Sequence, residues 1–358
     1  MKFYNLKNIL KADAIYNVII GGRSNGKTYA VQEYAIKRYW EHGEQLAIIR
    51  RYRDDFTGAR GRSMFENQGS TGNVKRLTGG VYDDIYYYRS AWYLCKHTES
   101  GEMIRDDKPF CYGFSLSSME HDKSTSYPDV CTVLFDEFIS RNMYLNDEFV
   151  IFMNVLSTII RHRTNVKIFM VGNTVNKYCP YFNEMGLTHI KEMREGSIDV
   201  YRYGESKLKV AVEYSVNKAG KQSEMYFAFN NPKLSMITGS DWELDLYPHC
   251  PIKYKPKHII FTYFIEFDSE LVQCEIVNVN GNIFTFIHRK TTPLQFPETD
   301  LIYKQDYDAR PNYSRNITKP VNDIQKRVLW FYHAQKVFYQ DNETGEIVHN
   351  YLKWCEKN

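Results

Sequence analysis

Long apolar runs are missing from this chain. No stretch approaches the roughly 18 consecutive apolar residues that a membrane-spanning helix needs, so no span is expected. The N-terminus carries Lys2, Lys7 and Lys11 without a continuous apolar core, which argues against a signal peptide. The seven cysteines (Cys95, Cys111, Cys131, Cys179, Cys250, Cys274 and Cys355) are odd in number and scattered, with no C-x-x-C pair. That argues against a zinc site and a disulfide framework, and a reducing, cytosolic setting is the simplest expectation. Charge of one sign is also missing: 46 Lys and Arg against 43 Asp and Glu leave a formal net charge of +3. Any nucleic-acid contact must therefore come from local patches. There is no internal repeat and no low-complexity tract.

Aromatic residues are abundant, with 29 Tyr and 21 Phe in 358 residues. Packing accounts for most of them, and Tyr also suits wet surfaces and base stacking. The length allows one large domain or two to three smaller ones.

The most informative stretch is Gly21-Gly22-Arg23-Ser24-Asn25-Gly26-Lys27-Thr28, which fits G-x-x-x-x-G-K-[ST] at every fixed position. The apolar run Ala14 to Ile20 before it reads as a buried strand, and Lys27 to Glu41 after it as a helix stopped by Gly43. Glycines there let backbone N–H groups crowd around an anion, and the helix dipole adds to their field. Lys27 is expected to reach the β- and γ-phosphates of ATP, and Thr28 to hold Mg²⁺ through its hydroxyl. A second signature is the apolar strand Val130 to Phe135, ending in Asp136-Glu137. Alone, an acidic pair at a strand end is weak and fits helix capping. After a complete P-loop it reads as Walker B, with Asp136 holding Mg²⁺ through a water and Glu137 polarising the attacking water.

Other positions carry two readings each. Gln45 to Tyr52 reads as a strand ending in Arg50, Arg51 and, just beyond, Arg53, where α/β sheets bind ligands. These cations are a solvated cluster or a phosphate contact, with Arg53 evenly placed between the two. Asp55 to Thr78 reads as a partly mobile helix and loop. Tyr86 to Tyr93 and Phe110 to Leu116 read as strands flanking a turn near Glu99 to Glu102, a hairpin inserted in the core. Lys123, in the polar loop Asp122 to Asp129, is an ordinary surface lysine or a nucleic-acid contact. The apolar stripe within Asn146 to Ile160 reads as a core helix. Arg161 after it either complements the helix dipole or, in a ring ATPase, reaches a neighbouring subunit's γ-phosphate. Val166 to Val171 is a strand ending in Gly172-Asn173, so Asn173 is a turn residue or a γ-phosphate sensor. Val200 to Val216 is expected to finish the sheet.

The organisation then changes. Residues 1–216 are expected to form a P-loop ATPase domain, 217–250 a linker or bridging subdomain, and 251–358 a compact α+β domain. In the last, Ile259 to Phe267, Leu271 to Val279 and Ile283 to His288 read as strands, with Asn280-Gly281 as a hairpin turn. Ile324 to Tyr339 reads as a helix. Lys253, Lys255, Lys257 and His258 around Tyr254 read as edge protection, with nucleic-acid contact the lesser reading.

GGRSNGKT, GEQLAIIRRYR, DKSTSYP, VLFDEFI, and IIRHR followed by VGN, in this order, resemble the DNA-packaging ATPases of small tailed phages with protein-primed linear genomes. Roughly residues 15 to 195 carry the resemblance, and the DKSTSYP-to-DEF block is its specific part. The resemblance implies an α/β fold with a terminase-like ASCE P-loop domain and a mainly parallel sheet, in which the Gly172-Asn173 strand lies between the P-loop and DEF strands. It implies Lys27 and Thr28 on phosphate and Mg²⁺, Asp136 on Mg²⁺, Glu137 as catalytic carboxylate, and Arg161 as a trans-acting finger. Arg53 then faces the neighbouring subunit and Lys123 the pore. The C-terminal domain is implied to be a vestigial RNase H-like nuclease fold without activity. The implied function is ATP-driven translocation of double-stranded DNA, without sequence preference, into a procapsid. The motor would be a homo-oligomeric ring, a pentamer by family, docked on the capsid portal protein in the infected cell, with a structural RNA as a possible further partner. Two other classes stay open: a P-loop enzyme acting on a small molecule, and a non-catalytic nucleotide-dependent scaffold.

Overall fold

The computed structural model describes residues 4–121, 126–140, 144–145, 147–174, 179–204, 208–216, 247–250 and 252–357. Contacts cluster into two compact units, one reaching Trp242 and one built on Glu243–Asn358. Most of the expected linker, 217–250, and Lys123 lie outside the described residues.

In the first unit a short helix α1 (Lys7–Leu10) leads to β1 (Tyr16–Gly21), α2 (Lys27–His42) and β2 (Gln45–Arg50). Helices α3 (Gly58–Ser63), α4 (Glu66–Ser70) and α5 (Asn73–Leu77) follow a 3-10 turn at Arg53–Phe56. Then come β3 (Asp84–Tyr88), β4 (Ala91–His97), β5 (Met103–Arg105), β6 (Cys111–Ser115) and β7 (Val130–Asp136). The unit continues through α6 (Glu148–Ile160), β8 (Lys167–Asn173), α7 (Pro180–Glu184), β9 (Ile198–Arg202) and β10 (Lys209–Tyr214). The sheet order is β3-β4-β6-β2-β7-β8-β1-β10-β9, with β5 on β4. The run from β6 to β10 is parallel. Its central strands are apolar almost without alternation because both faces are covered. On one face α2 buries Ala30, Val31, Ala35 and Ile36 in a core with Phe65, Trp92 and Phe110. The strand ending in Asn173 lies between the Walker B strand and the P-loop strand, the order the family resemblance implies.

Two expectations in this unit are corrected. Tyr86 to Tyr93 is not one strand: Arg89 and Ser90 both take positive φ (49° and 58°), which turns the chain into the β3–β4 hairpin. The turn near Glu99–Glu102 consequently joins β4 to the short β5. Asp55 to Thr78 holds three short helices, anchored by Phe56, Phe65 and Val74 in the core.

The second unit contains β11 (Ile259–Phe267), β12 (Glu270–Val279), β13 (Asn282–Arg289), β14 (Leu301–Lys304) and β15 (Tyr313–Ser314). It ends with α8 (Asp323–His333), β16 (Val337–Tyr339) and α9 (Asn342–Lys357). The sheet order is β15-β14-β11-β12-β13-β16. Asn280 and Gly281 both have positive φ (51° and 84°), the turn their sequence predicts. The expected helix Ile324–Tyr339 is corrected: it stops at His333, Gln335 takes φ 54°, and the β-formers Val337–Tyr339 add a strand parallel to β13. Of the 253–258 patch, Tyr254 donates to Glu275 at 2.6 Å while the three lysines stay exposed.

Candidate functional site

Sheet register brings the motif residues together. Gly21 at the end of β1 is level with Asn173 on β8. Val171 on β8 is level with Asp136 on β7. Ile49 on β2 is level with Phe135 on β7, which sets Arg50 beside Asp136. All these ends are the C-terminal ends of parallel strands, where ligands bind in open α/β folds.

The loop between β1 and α2 is shaped by its residue types. Gly26 has φ 85° at the helix N-cap, a conformation glycine adopts without a Cβ clash. Any side chain at Gly21 would collide with the Ser215 hydroxyl just after β10. Asn25, 1% exposed, donates to Ser215 Oγ at 3.2 Å and to the Val216 carbonyl at 3.0 Å, fixing the loop to that sheet end.

Lys27 is buried and curls back over the loop. Its Nζ donates to the carbonyls of Gly21 (3.1 Å) and Gly22 (2.6 Å) and to Asn173 Oδ1 (3.3 Å). Burial pushes its ammonium down to about 8, against the pull of the Asp136 charge. Thr28 Oγ1 donates to Asp136 Oδ1 at 2.8 Å. Arg50 forks across the acidic pair, with Nη2 2.5 Å from Asp136 Oδ2 and Nη1 2.8 Å from Glu137 Oε2. Burial opposes the Arg50 charge, but the Asp136 and Glu137 carboxylates outweigh it and hold the guanidinium more firmly protonated than usual. Glu137 has φ 58° and an exposed side chain (63%), whereas Asp136 is buried.

These groups surround one cavity of about 290 Å³, lined by Ser24 to Tyr29, Arg50, Asp136, Glu137 and Val171 to Asn173. Gly21 and Gly22 contribute through their carbonyls to Lys27, and Arg23 is exposed without lining the cavity. Arg53 and Arg161 do not line it either. Arg53 is exposed on the 3-10 turn after β2, and Arg161 is exposed at the C-terminus of α6 with φ 53° and ψ −119°.

Sequence reasoning left Arg50 undistinguished among three arginines. It also missed a buried support behind the site. Arg51 pairs with Glu148 through two bonds (2.7 and 2.8 Å) and donates to the Phe138 carbonyl at 2.9 Å. Tyr181 OH donates to the same Glu148 carboxylate at 2.8 Å. The pair thus holds the chain just beyond Glu137. An arginine opposite an acid nearly a hundred residues later has no sequence signature.

The oxygen donors fit a hard divalent cation. The Thr28 hydroxyl and Asp136 carboxylate converge, and a cation such as Mg²⁺ takes its other ligands from water and phosphate. No cluster of three His, Cys, Asp or Glu side chains suited to a metal occurs among the described residues.

A family model described as "Podovirus DNA encapsidation protein (Gp16)" matches residues 1–68 and 97–202. The DNA packaging protein of Bacillus phage B103 is 30% identical over 185 residues, 50% of each chain. That of Bacillus phage phi29 is 29% identical over 183 residues, covering 50% of this chain and 49% of the relative. The chain thus spans about half the length of the curated relatives it matches. Among solved structures, a chain of the bacteriophage Phi-29 viral genome packaging motor assembly aligns with a TM-score of 0.62 at 19% identity, over 98% of both chains. A chain described as the Phi-28 gp11 DNA packaging motor aligns with a TM-score of 0.58 at 19% identity, over 99% of this chain and 98% of the other. At that identity the structures establish the fold. The sequence matches and the motif order make the first unit of this chain similar to the podovirus DNA encapsidation protein (Gp16) family.

Proposed function

We propose that this chain is an ATPase that drives double-stranded DNA into a procapsid. One observation carries the enzymatic part: the Thr28 hydroxyl meets the Asp136 carboxylate at 2.8 Å, with Lys27, Asn173 and Glu137 on the same cavity. Lys27 exchanges its loop carbonyls for phosphate oxygens when ATP enters. The N–H groups at the start of α2 face the same anion. Thr28 and Asp136 are the residues that would hold Mg²⁺, which when bound neutralises charge developing on the phosphoryl oxygens. Glu137, exposed on the cavity wall, accepts a proton from the attacking water as general base. Asn173 senses the γ-phosphate, a reading that its contact with Lys27 supports.

Arg161 serves the site in trans. It is exposed, and an arginine there complements a neighbouring subunit's nucleotide in a ring. Arg53 faces the same kind of neighbour, and Lys123 is proposed as a pore-side contact. The ring is a pentamer docked on the portal vertex in the host cytoplasm, with a structural RNA as a further partner. The similarity to phage DNA packaging proteins supports these partners.

The domain boundaries proposed are 1–216, 217–250 and 251–358. The last domain is read as a nuclease-like fold without activity. Its strand arrangement supports this: β11, β12 and β13 form an antiparallel meander, and β14 and β15 extend the sheet in parallel beyond β11.

The test is ATPase rate against added double-stranded DNA, with salt varied and Glu137→Gln as control. Stimulation by DNA of any sequence, falling with salt and lost in the variant, is expected. Turnover indifferent to DNA and to the portal protein would instead favour an enzyme acting on a small molecule.

A further inference from the structure

The strands that hold the nucleotide cavity at one end hold a larger cleft, of about 710 Å³, at the other. Its rim carries cations set by register. Tyr16 on β1 is level with Ile168 on β8 and Val210 on β10, so Lys167 and Lys209, one residue earlier, share a row with Ile15. Arg202 on β9 is directly opposite Lys209. Three cations therefore stand across the adjacent strands β8-β1-β10-β9, a row about 14 Å long at ordinary strand spacing.

Among the described residues lining the cleft the one carboxylate is Asp13, exposed and 3.1 Å from Lys167 Nζ. It offsets one cation. Arg202 is exposed and has no ion-pair partner among the described residues. Structural duty explains little of this: a core needs no row of three cations converging on a concave surface. Concavity and unbalanced positive charge suit an extended polyanion with several regularly spaced charges.

We propose that this cleft is a phosphate-binding site that takes the backbone of double-stranded DNA. The idea rests on the DNA reading above and adds a contact surface to it, distant from the nucleotide by the length of β1, about 17–20 Å. Contact of this kind fixes position without reading sequence. It also gives Asp13 a sign. Its carboxylate competes with phosphate for Lys167, so removing it strengthens binding.

The experiment measures binding of a labelled DNA duplex to the full chain over a range of salt. Nucleotide affinity and melting temperature serve as folding controls. Each lost phosphate contact lowers the slope of log K against log salt by about 0.9. Arg202→Gln combined with Lys209→Gln is expected to lower it by about 1.8, and Asp13→Asn to tighten binding. An unchanged slope in the double variant, with the wild type binding DNA normally, overturns the cleft and leaves the translocase reading standing. Failure of the wild-type chain to bind duplex at any salt removes both. Inorganic tripolyphosphate forms a competing arm. If it binds in a manner sensitive to Arg202 and Lys209 while duplex binding is insensitive to them, the site takes free polyphosphate and the DNA assignment is wrong.

Discussion

Arg50 holds Glu137: their side chains meet at 2.8 Å, on neighbouring strand ends. The same guanidinium is committed to Asp136 at 2.5 Å, and the two partners differ in burial. Asp136 is 5% exposed at its side chain and Glu137 63%. The first pair is thus structural and the second readily broken, since exposed pairs contribute about 0.5–1 kcal/mol. A general base engaged with a guanidinium is less available to a water proton.

Arg50→Lys separates the two roles. A single ammonium has no fork, so it stays with the buried Asp136 and releases Glu137. DNA-independent turnover is expected to rise by a factor of roughly two to five, the equivalent of the lost exposed pair. Arg50→Ala differs, because it strands Asp136; a loss of about 3 kcal/mol is expected. Steady-state ATPase assays and thermal melts check both. Reduced turnover in Arg50→Lys with unchanged ATP affinity would mean that Arg50 assists the chemistry rather than restraining it.

Lys27 is expected to make nucleotide binding pH-dependent. Burial lowers it from the ordinary lysine value to about 8 in the nucleotide-free fold. Below pH 8 the folded protein keeps a buried charge that the unfolded chain keeps in water, which costs about 3 kcal/mol. Between pH 8 and the unfolded lysine value, the unfolded state binds more protons, so this contribution makes stability rise with pH. ATP reverses the preference, because phosphate favours the charged ammonium. The Kd for ATP is expected to weaken up to about tenfold per pH unit above 8, with proton uptake on binding near pH 8. Titration calorimetry in buffers of different ionisation enthalpy measures that uptake. Lys27→Met should abolish it, and a flat Kd from pH 7 to 9.5 in the wild type counts against the assignment.

The motif residues were legible in the sequence because each signal is local. An apolar run ends in GGRSNGKT, another in Asp136-Glu137, and a third in Gly172-Asn173. Arg50 was not legible as a site residue, since its role depends on β2 lying beside β7 in a particular register. The Arg51–Glu148 pair is non-local for the same reason. Where the fold reading failed, single backbone conformations were responsible. Arg89-Ser90 lacks the Asn-Gly signature yet makes the hairpin turn, and Gln335 in the left-handed region ends a segment whose pattern continues as helix. Strands β14 and β15 are only four and two residues long, too short for any period to appear.

The second unit is expected to lack nuclease activity. Glu266 on β11 is opposite Lys304 on β14, and their side chains pair at 2.8 Å. Two-metal hydrolysis needs converging carboxylates about one metal pair, and here an ammonium fills the space beside the acid. Incubating supercoiled DNA with the protein and Mg²⁺ or Mn²⁺ should leave it intact. Metal-dependent nicking that survives Glu137→Gln but not Glu266→Gln would show a working centre.

Arg163 is expected to govern whether Arg161 can act as proposed. Its guanidinium donates to the last-turn carbonyls of α6, Ile159 (2.6 Å) and Ile160 (3.2 Å). It also donates to Tyr127 (3.1 Å), Pro128 (3.0 Å) and Val130 at the entry to β7. One side chain thus caps the helix and fixes it to the approach to the Walker B strand, across the turn that presents Arg161 in its unusual backbone conformation. Lysine cannot satisfy five acceptors, so Arg163→Lys should cost on the order of 2 kcal/mol, lowering the melting temperature by roughly 4–8 °C. Structural loss alone would leave activity below that temperature intact. A positioning role predicts more: at 20 °C, assembled DNA-stimulated ATPase falls while single-subunit ATP affinity is unchanged, as in Arg161→Ala. Mixing Arg161→Ala with Glu137→Gln subunits then tests the trans arrangement, because each mixed interface can pair an intact arginine with an intact glutamate. Recovered activity in that mixture, and its absence when Arg163→Lys is added to the Glu137→Gln subunit, places Arg163 behind the finger. Full recovery with the added substitution would reduce Arg163 to a helix cap.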